Sequence, residues 1–339
     1  MRVFVTGGAG FIGSHTLVQL LRQNAEVTAF DNYSNSSPVA LARVKRLAQS
    51  DLSSVEGDIC NRAALETAMR AAKPDAVIHF AGLKAVGESS EKPLSYYKNN
   101  IAGSIALLET MDAVGCRNIV FSSSATVYDP AKAAPFTEED PLGAVNPYGR
   151  TKQFIEEIIR DWAAANSDAS AAILRYFNPV GAHVSGDIGE DPVGIPNNLM
   201  PFIARVAAGS LPRLQVFGGD YPTSDGTGAR DYIHVEDLAS AHLAALKYAA
   251  TVKGCDVFNI GTGRSTTVLE MLHAFEQACG KAIAYRITER RAGDVASSVA
   301  DVSKAKRILG WQAKYDVADM CQSSWNWQSR NPKGYDNGQ

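Results

Sequence analysis

The chain has 339 residues, of which 45% are apolar and 20% are charged, and its 33 basic and 36 acidic residues give a formal net charge of −3. This composition suits a globular enzyme built as one large domain or two coupled ones. The lack of a basic excess argues against nucleic acid as a partner, so an anionic ligand must be met by a few local cations.

The cysteines argue against a disulfide framework or a zinc site. There are five of them, an odd number, and they are scattered without a Cys-x-x-Cys pair: Cys60, Cys116, Cys255, Cys279 and Cys321. No apolar run is long enough to span a membrane, and the first predicted strand leaves no space for a signal peptide. We therefore expect a cytoplasmic protein in a reducing compartment, with no membrane partner.

The predicted elements alternate along the first half of the chain. Apolar runs predict strands at residues 2–6, 26–30, 52–56, 76–80, 118–122 and 171–175, and amphipathic patterns predict helices at 12–23, 61–72, 95–113 and 149–165. Alternation of this kind predicts an α/β fold with a doubly wound parallel sheet. Long polar loops at 181–198 and 218–229 follow, separated from the last part by a helical stretch at 235–250.

The change from alternating strands and helices to long polar loops predicts two domains. We expect residues 1–180, joined again by 230–255, to form a dinucleotide-binding domain. Residues 181–229 and 256–339 should form a smaller α+β domain that covers the ends of the parallel strands. Long loops in a compact enzyme are more often functional than idle.

A glycine turn follows the first strand and predicts a phosphate site. Gly7 permits a tight turn, Gly10 lets the backbone approach a pyrophosphate, and Gly13 lets the next helix pack closely on the strand. The helix then offers free N–H groups and a positive dipole end to the anion. Asp31 ends the second strand 18 residues past Gly13, near the ~20 residues expected for a carboxylate that holds the adenosine ribose. Its charge would repel a 2′-phosphate, which favours NAD over NADP.

Three hydroxyl and amine side chains form a candidate catalytic group. Ser124 follows the predicted strand at 118–122, while Tyr148 and Lys152 lie four residues apart and share one face of the next helix. A phenol has an ordinary pKa near ~10, and a nearby cation lowers the pKa and favours the phenolate. Tyr148 could then act as a base at neutral pH, with Ser124 relaying the proton.

These motifs are similar to those of the extended short-chain dehydrogenase/reductase family, a Rossmann-fold family, and most closely to its UDP-hexose 4-epimerases. The similar stretches cover nearly the whole chain: residues 6–15, 79–89, 122–128, 175–183, 194–201, 230–235 and 325–330. The resemblance implies that Tyr148 removes the proton of the sugar 4-hydroxyl while the C4 hydride passes to NAD. The 4-keto sugar would turn over in the pocket, and hydride return to its other face would give the C4 epimer.

The resemblance also implies the ligand contacts and a homodimer. Cofactor contacts would be Gly7, Gly10, Phe11, Ile12, Gly13, Asp31, Asn32, Asn35, Ser36, Asp58, Ile59, Phe80, Ala81, Gly82, Lys84, Asn99, Ser122, Tyr148, Lys152 and Phe177. Contacts to the UDP-sugar would be Lys84, Ser124, Asn178, Asn198, Leu199, Val216, Phe217, Arg230, Tyr232, Arg291, Asp294 and Ser298. Taken alone, Lys84 fits a surface lysine equally well. The residues themselves also support a role for Arg230 and Arg291, because a diphosphate bound to an acidic protein needs guanidinium groups to pair with its oxygens.

Related activities on the same fold remain as alternatives. Nucleotide-sugar dehydratases carry an Asp-Glu pair where this chain has Ala125 and Thr126, and decarboxylating relatives carry a Glu at the second position. The absence of these acids favours epimerisation over dehydration, with a reductase or a non-catalytic NAD-sensing module as further alternatives. Such modules tend to lose the tyrosine or the lysine, and this chain has both.

One position predicts the breadth of substrates. In the family, a bulky tyrosine beside the sugar C2 accompanies restriction to UDP-glucose and UDP-galactose, and the ungapped register places Ser298 there. A serine leaves space for an N-acetyl group, so we expect turnover of UDP-GlcNAc and UDP-GalNAc as well. The histidines His183 and His234 match no metal-ligand spacing, and we expect no metal.

Overall fold

The computed structural model describes residues 1–192, 194, 196, 198–291 and 293–336. Ile195, Asn197 and Ala292, which belong to stretches used above, and the last three residues of the predicted second domain lie outside these ranges. Within them the strands are β1 (Arg2–Thr6), β2 (Glu26–Asp31), β3 (Ser53–Glu56), β4 (Ala76–His79), β5 (Asn118–Ser122), β6 (Ser170–Tyr176), β7 (Asn178–Val180), β8 (Leu214–Phe217), β9 (Ala229–Arg230), β10 (Tyr232–His234), β11 (Gly254–Ile260), β12 (Thr266–Thr267), β13 (Tyr285–Thr288) and β14 (Ser297–Ser298).

The helices alternate with these strands. They are α1 (Phe11–Arg22), α2 (Pro38–Ala48), α3 (Arg62–Ala72), α4 (Val86–Glu91), α5 (Pro93–Tyr96), α6 (Gly103–Val114), α7 (Pro147–Ala165), α8 (Leu199–Ala207), α9 (Val235–Ala249), α10 (Val268–Cys279) and α11 (Val317–Arg330). Short π-helical turns cover Tyr97–Ala102 and Ala305–Leu309, and a 3₁₀ turn covers Ala125–Val127. Among the described residues, we find no helix with the length and apolar character needed to cross a membrane.

Seven strands form one parallel sheet in the order β11-β6-β5-β4-β1-β2-β3. The order reverses between β1 and β4, the point at which an open α/β sheet leaves a crevice at the carboxyl ends of its strands. The doubly wound parallel sheet predicted from the sequence is confirmed. The apolar runs form strands because both faces of the sheet are covered, which leaves Phe4, Val5 and Ile78 without exposed surface.

Two apolar layers cover the sheet, and a third cluster lies outside it. One layer packs α1, α2 and α9 against the sheet, and the other packs α3, α6 and α7 against the opposite face. The third cluster joins α8, α10 and α11 with the short strands β7, β8 and β10. This separate cluster carries the segments that approach the carboxyl ends of the parallel strands.

Two elements differ from the sequence prediction. Strand β11 extends the sheet to Ile260, beyond the domain boundary predicted at residue 255. Its polar residues are paired in the fold: Asp256 accepts from Lys304 at 2.6 Å and Asn259 accepts from the Tyr128 hydroxyl at 2.6 Å. The helix predicted at 95–113 is divided by the π-helical turn, a local widening that apolar periodicity does not reveal.

Candidate active site

The glycine turn lies at the switch point between β1 and β4. Gly7 has a φ of 71°, and a Cβ there would lie 2.7 Å from the backbone nitrogen of Ala81. A Cβ on Gly13 would lie 2.3 Å from the Gly7 carbonyl oxygen, whereas one on Gly10 would meet only that oxygen, at 3.3 Å. Gly7 and Gly13 therefore satisfy the packing of the chain itself, while Gly10 leaves room for a ligand. Helix α1 has no side-chain cap at Gly10, so its first N–H groups can bind an anion.

Asp31 lies directly beside this turn. Its buried carboxylate accepts hydrogen bonds from the backbone nitrogen of Ala9 at 2.9 Å, from that of Tyr33 at 2.9 Å and from the Ser36 hydroxyl at 2.8 Å. These contacts fix a charged acceptor at the end of β2, where the ribose of a dinucleotide would lie. Predicted contacts Phe11 and Ile12 are half-buried in the first turn of α1, and Asn35 is exposed on the loop after β2.

The segment after β3 supplies the next pair of predicted cofactor residues. Asn32 donates to the Asp58 carboxylate at 3.0 Å, and the backbone nitrogen of Cys60 donates at 2.8 Å. Burial opposes ionisation of Asp58, but these hydrogen bonds hold its pKa below the ordinary value. Ile59 is buried against Gly103, where a Cβ would lie 2.5 Å from its Cδ1. Position 103 must stay small for Ile59 to reach this place.

The end of β4 forms the opposite side of the crevice. Phe80 packs on His242 with 4.7 Å between the ring centroids, and a Cβ on Gly82 would lie 3.3 Å from Asn100 Oδ1. Asn99 donates to that same oxygen at 2.9 Å. Asn100 was not predicted as a site residue, yet it ties this loop to α7 through Thr151 at 3.0 Å.

The three predicted catalytic residues converge at the carboxyl end of β5. Ser124, Tyr148 and Lys152 are 7%, 6% and 5% exposed. Helix α7 begins at Pro147 after the Asn146 side chain, which accepts from the Gly149 N–H at 2.8 Å. A Cβ on Gly149 would lie 2.6 Å from the Thr126 carbonyl oxygen, so glycine lets α7 dock on the turn that follows Ser124.

The electrostatics of this group differ in one respect from the prediction. Burial raises the pKa of Tyr148, the neighbouring Tyr176 raises it further, and a hydrogen bond from Ser124 lowers it. The Lys152 ammonium lies 5.9 Å from the Tyr148 ring centroid and donates to the Ser122 carbonyl oxygen at 2.7 Å. Burial lowers the pKa of Lys152 to about 8, against an opposing effect of Glu156. In the protein alone, the expected lowering of the pKa of Tyr148 by Lys152 is therefore not observed.

A buried polar network under Lys152 was not predicted. Glu156 follows Lys152 by one helical turn and pairs with Arg175 at 2.6 Å, and neither side chain is more than 1% exposed. Ser123 donates to Glu156 at 2.6 Å, while Arg175 donates to the Tyr128 hydroxyl at 3.2 Å. The only signal in the sequence was a glutamate on an apolar helix face, which needs a partner when buried.

Five of the predicted contacts to the UDP-sugar form a second cluster. Arg291 pairs with Asp294 at 2.9 Å and lies over the Phe217 ring at 4.7 Å, and Arg230 reaches Asp294 at 3.7 Å. Strand β14 aligns Ser298 with Arg230 on β9. The sequence thus identified residues that the fold brings together from three separate segments.

The remaining predicted contacts lie around these two clusters. Val216, Tyr232 and Phe177 are buried, Leu199 is half-buried at the first turn of α8, and Asn178 is exposed at the start of β7. Lys84 and Asn198 both bind the carboxylate of Glu190, at 3.0 and 2.9 Å. Tyr176, at the end of β6, was also not predicted; Lys84 lowers its pKa, although burial raises it overall.

The histidines have structural partners. His183 contacts Ser185 at 2.8 Å and His234 contacts Ser323 at 3.0 Å. In the described ranges, no group of three or more His, Cys, Asp or Glu side chains is arranged to hold a metal ion.

These features define a dinucleotide-dependent enzyme of the short-chain dehydrogenase/reductase type. They are a glycine turn, an acid at the end of β2, and a buried Tyr-Lys pair at the carboxyl edge of a parallel sheet. The chain belongs to the NAD dependent epimerase/dehydratase family, whose model matches residues 3–261. The predicted family is confirmed, and so is its cofactor, NAD.

Individual relatives are similar to this chain over almost its full length. The chain is 55% identical over 335 residues to the UDP-glucose 4-epimerase of Bacillus subtilis, covering 99% of each chain. It is 50% identical, with a TM-score of 0.95, to the UDP-glucose 4-epimerase of Bifidobacterium longum in complex with NAD⁺ and UDP, covering 98% of this chain and 100% of that one. A Stenotrophomonas maltophila enzyme of the same name, solved with NAD and formylated UDP-arabinopyranose, is 49% identical, with a TM-score of 0.96, and the match covers 98% and 99% of the two chains. The prediction of an isomerase is confirmed.

Proposed function

We propose that this protein interconverts UDP-galactose and UDP-glucose by epimerisation at C4. The convergence of Ser124, Tyr148 and Lys152 beside a glycine turn suited to a pyrophosphate carries the proposal. The 55% identity to a UDP-glucose 4-epimerase across the whole chain supports it. Ala125 and Thr126 stand at the positions after Ser124 where a dehydratase carries its acid pair. Thr126 instead donates to the Ser124 hydroxyl at 3.0 Å. The lack of a carboxylate at these two positions favours epimerisation over dehydration.

The residues that would hold NAD fit the group. Asp31 offers a charged acceptor, Gly10 leaves space for the pyrophosphate, and Lys152 would hold the nicotinamide ribose. When bound, NAD⁺ supplies a hydride acceptor at the sugar C4 and a positive charge that favours the phenolate of Tyr148. Tyr148 then takes the proton of the 4-hydroxyl, aided by Ser124 as a hydrogen-bond partner. After the 4-keto sugar has turned over, Tyr148 returns the proton to the oxygen.

Arg230 and Arg291 would hold the UDP diphosphate. Their guanidinium groups share Asp294 and lie at the same end of the molecule as Ser298. Because the diphosphate and the uridine would stay anchored there, the keto sugar can rotate without leaving the site. Retention of both NAD and the nucleotide distinguishes this proposal from a reductase, which needs an external supply of reduced cofactor.

The test is a coupled assay of the purified holoprotein with UDP-galactose and no added nicotinamide cofactor. We expect UDP-glucose to form, and we expect Tyr148→Phe to reduce kcat by roughly 10²–10⁴-fold, the range typical of a lost general acid–base. The matched control is Tyr285→Phe, at a tyrosine 43% exposed on β13, which should retain full activity. Unchanged turnover in Tyr148→Phe would refute the mechanism.

We also propose that the enzyme accepts UDP-GlcNAc and UDP-GalNAc. Ser298 is half-buried, and its carbonyl accepts from the Asp231 N–H at 2.9 Å, next to Arg230. A small side chain there supports space beside the sugar C2. Ser298→Tyr should abolish turnover of the N-acetyl substrates and spare UDP-galactose, because it adds bulk without touching the reacting groups.

The control for this substitution is Ser298→Ala, which keeps the side chain small and should retain both activities. Kinetics on acetylated and non-acetylated UDP-hexoses, measured side by side, decide the matter. Equal loss of both activities in Ser298→Tyr, or N-acetyl turnover that persists in it, would contradict the proposal.

We further propose a cytoplasmic homodimer that pairs α6 and α7 with their copies. Three large apolar side chains on this side of the molecule support an interface: Leu94, Ile105 and Phe154 are 81%, 40% and 43% exposed. The five free thiols support a reducing compartment. A sedimentation experiment that gave only monomers at micromolar concentration would contradict the dimer.

A further inference from the structure

The Glu190 carboxylate binds one residue from a distant segment of the chain and one that lies eight residues further along. Its Oε1 accepts from the Lys84 ammonium at 3.0 Å and from the Asn198 amide at 2.9 Å. The Glu190 side chain is only 9% exposed, whereas that of Lys84 is 46% exposed. Both donors are proposed substrate contacts, so Glu190 binds two groups that would face the UDP-sugar.

Asn198 does not cap the helix that begins after it, although asparagine usually does so at this position. It is the N-cap residue of α8, where an asparagine side chain normally accepts a hydrogen bond from the first turn of the helix. In this structure it makes no such cap. Its amide nitrogen donates to Glu190, and this contact sets the orientation of the Asn198 side chain at the start of α8.

The backbone of Glu190 is held firmly by the end of the chain. The Trp327 indole N–H on α11 donates to the Glu190 carbonyl oxygen at 3.1 Å. The preceding Gly189 packs on the same indole, where a Cβ would lie 2.4 Å from Cγ, and its N–H donates to the Tyr335 hydroxyl at 3.3 Å. The carboxylate is therefore preorganised before any ligand binds.

A carboxylate in this place has an electrostatic consequence. The site must bind a diphosphate, and a negative charge nearby opposes that binding. Glu190 pairs with the Lys84 ammonium at 3.0 Å, so the two charges offset each other and the ammonium is held in this ion pair. Lys84 lowers the pKa of Tyr176, and Tyr176 raises the pKa of Tyr148, so the charge of Lys84 is linked to the electrostatics of the catalytic tyrosine.

We propose that Glu190 is a positioning residue that directs Lys84 and Asn198 to the sugar and keeps Lys84 from the diphosphate. The inference rests on the proposed epimerase function. It assigns to Glu190 a role in turnover of the sugar but no favourable contribution to binding of the nucleotide. Loss of its charge should therefore reduce turnover without weakening UDP binding.

The test compares wild-type holoenzyme with Glu190→Gln, which preserves the shape of the side chain. We expect kcat/KM for UDP-galactose to fall about tenfold or more, because Lys84 is no longer held at the sugar. The inhibition constant of UDP alone should stay unchanged or tighten by up to about fivefold, because a charge of like sign is removed. Glu190→Asp keeps the charge on a shorter side chain and should bind UDP as wild type does, with reduced turnover.

The matched control is Asp187→Asn, on the same loop, which breaks an ion pair with Arg46 of 3.1 Å and should leave both constants unchanged. Three results would overturn the inference: unchanged turnover in Glu190→Gln, weaker UDP binding in parallel with lost turnover, or an equal loss in Asp187→Asn. Failure of the wild-type holoenzyme to epimerise UDP-galactose would instead refute the proposed function, so the two failures are distinguishable.

Discussion

At the scale of single residues, Lys152 combines a proposed catalytic role with a cost in stability. Burial lowers its pKa from 10.5 to about 8, so between these values the unfolded chain binds more protons than the folded protein. Stability should therefore rise with pH across this window. Below pH 8 the full penalty is present, on the order of 3 kcal/mol at ~1.4 kcal/mol per pH unit.

We therefore expect Lys152→Met to stabilise the cofactor-free protein at pH 7 by about 1–2 kcal/mol, a value reduced by loss of the hydrogen bond to the Ser122 carbonyl. The gain should shrink as the pH rises from 8 toward 10.5. Urea unfolding at several pH values measures it. Lys253→Met, at an exposed lysine, is the control and should change stability little; a gain in Lys152→Met that does not depend on pH would contradict the account.

At the scale of elements, local sequence patterns predicted most of the sheet. The predicted strands at 2–6 and 118–122 match β1 and β5, and the other predicted strands agree with the observed ones to within one residue at each end. For inner strands such as β1 and β4 this was possible because strands buried on both faces are continuous apolar runs. Strand β11 was not recognised, because Asp256 and Asn259 interrupt its apolar pattern and each pairs with a residue from a distant segment, Lys304 and Tyr128.

The site residues also divide into those that local spacing predicts and those that depend on contacts made by the fold. The glycine turn and the Tyr148–Lys152 pair were predictable, since their chemistry depends on short spacings within one turn or helix. Glu190 and the Glu156–Arg175 pair were not, because each depends on contacts between different elements of the fold. The pKa of Tyr148 was misjudged for a related reason: the depth of burial of the site is a property of the fold and not of the motif.

At the scale of the whole molecule, the layered parallel sheet and the third apolar cluster support different parts of the proposed site. The parallel sheet and its two helical layers fix the glycine turn, Asp31 and the Tyr-Lys pair. Strands β9 and β14 align Arg230 with Ser298, and α11, which belongs to the third cluster, contacts the loop of Glu190. This arrangement suits a reaction in which the cofactor and the nucleotide stay fixed while only the sugar moves.

The most direct test of this account follows the hydrogen at the sugar C4. Holoenzyme without added cofactor is incubated with UDP-galactose in D₂O, and the product is analysed by NMR and mass spectrometry. The proposed mechanism stores the hydride and returns it within one visit of the sugar, so we predict UDP-glucose that retains its original hydrogen at C4, with no release of reduced cofactor. Deuterium at C4, or accumulation of free reduced cofactor in proportion to product, would contradict the account.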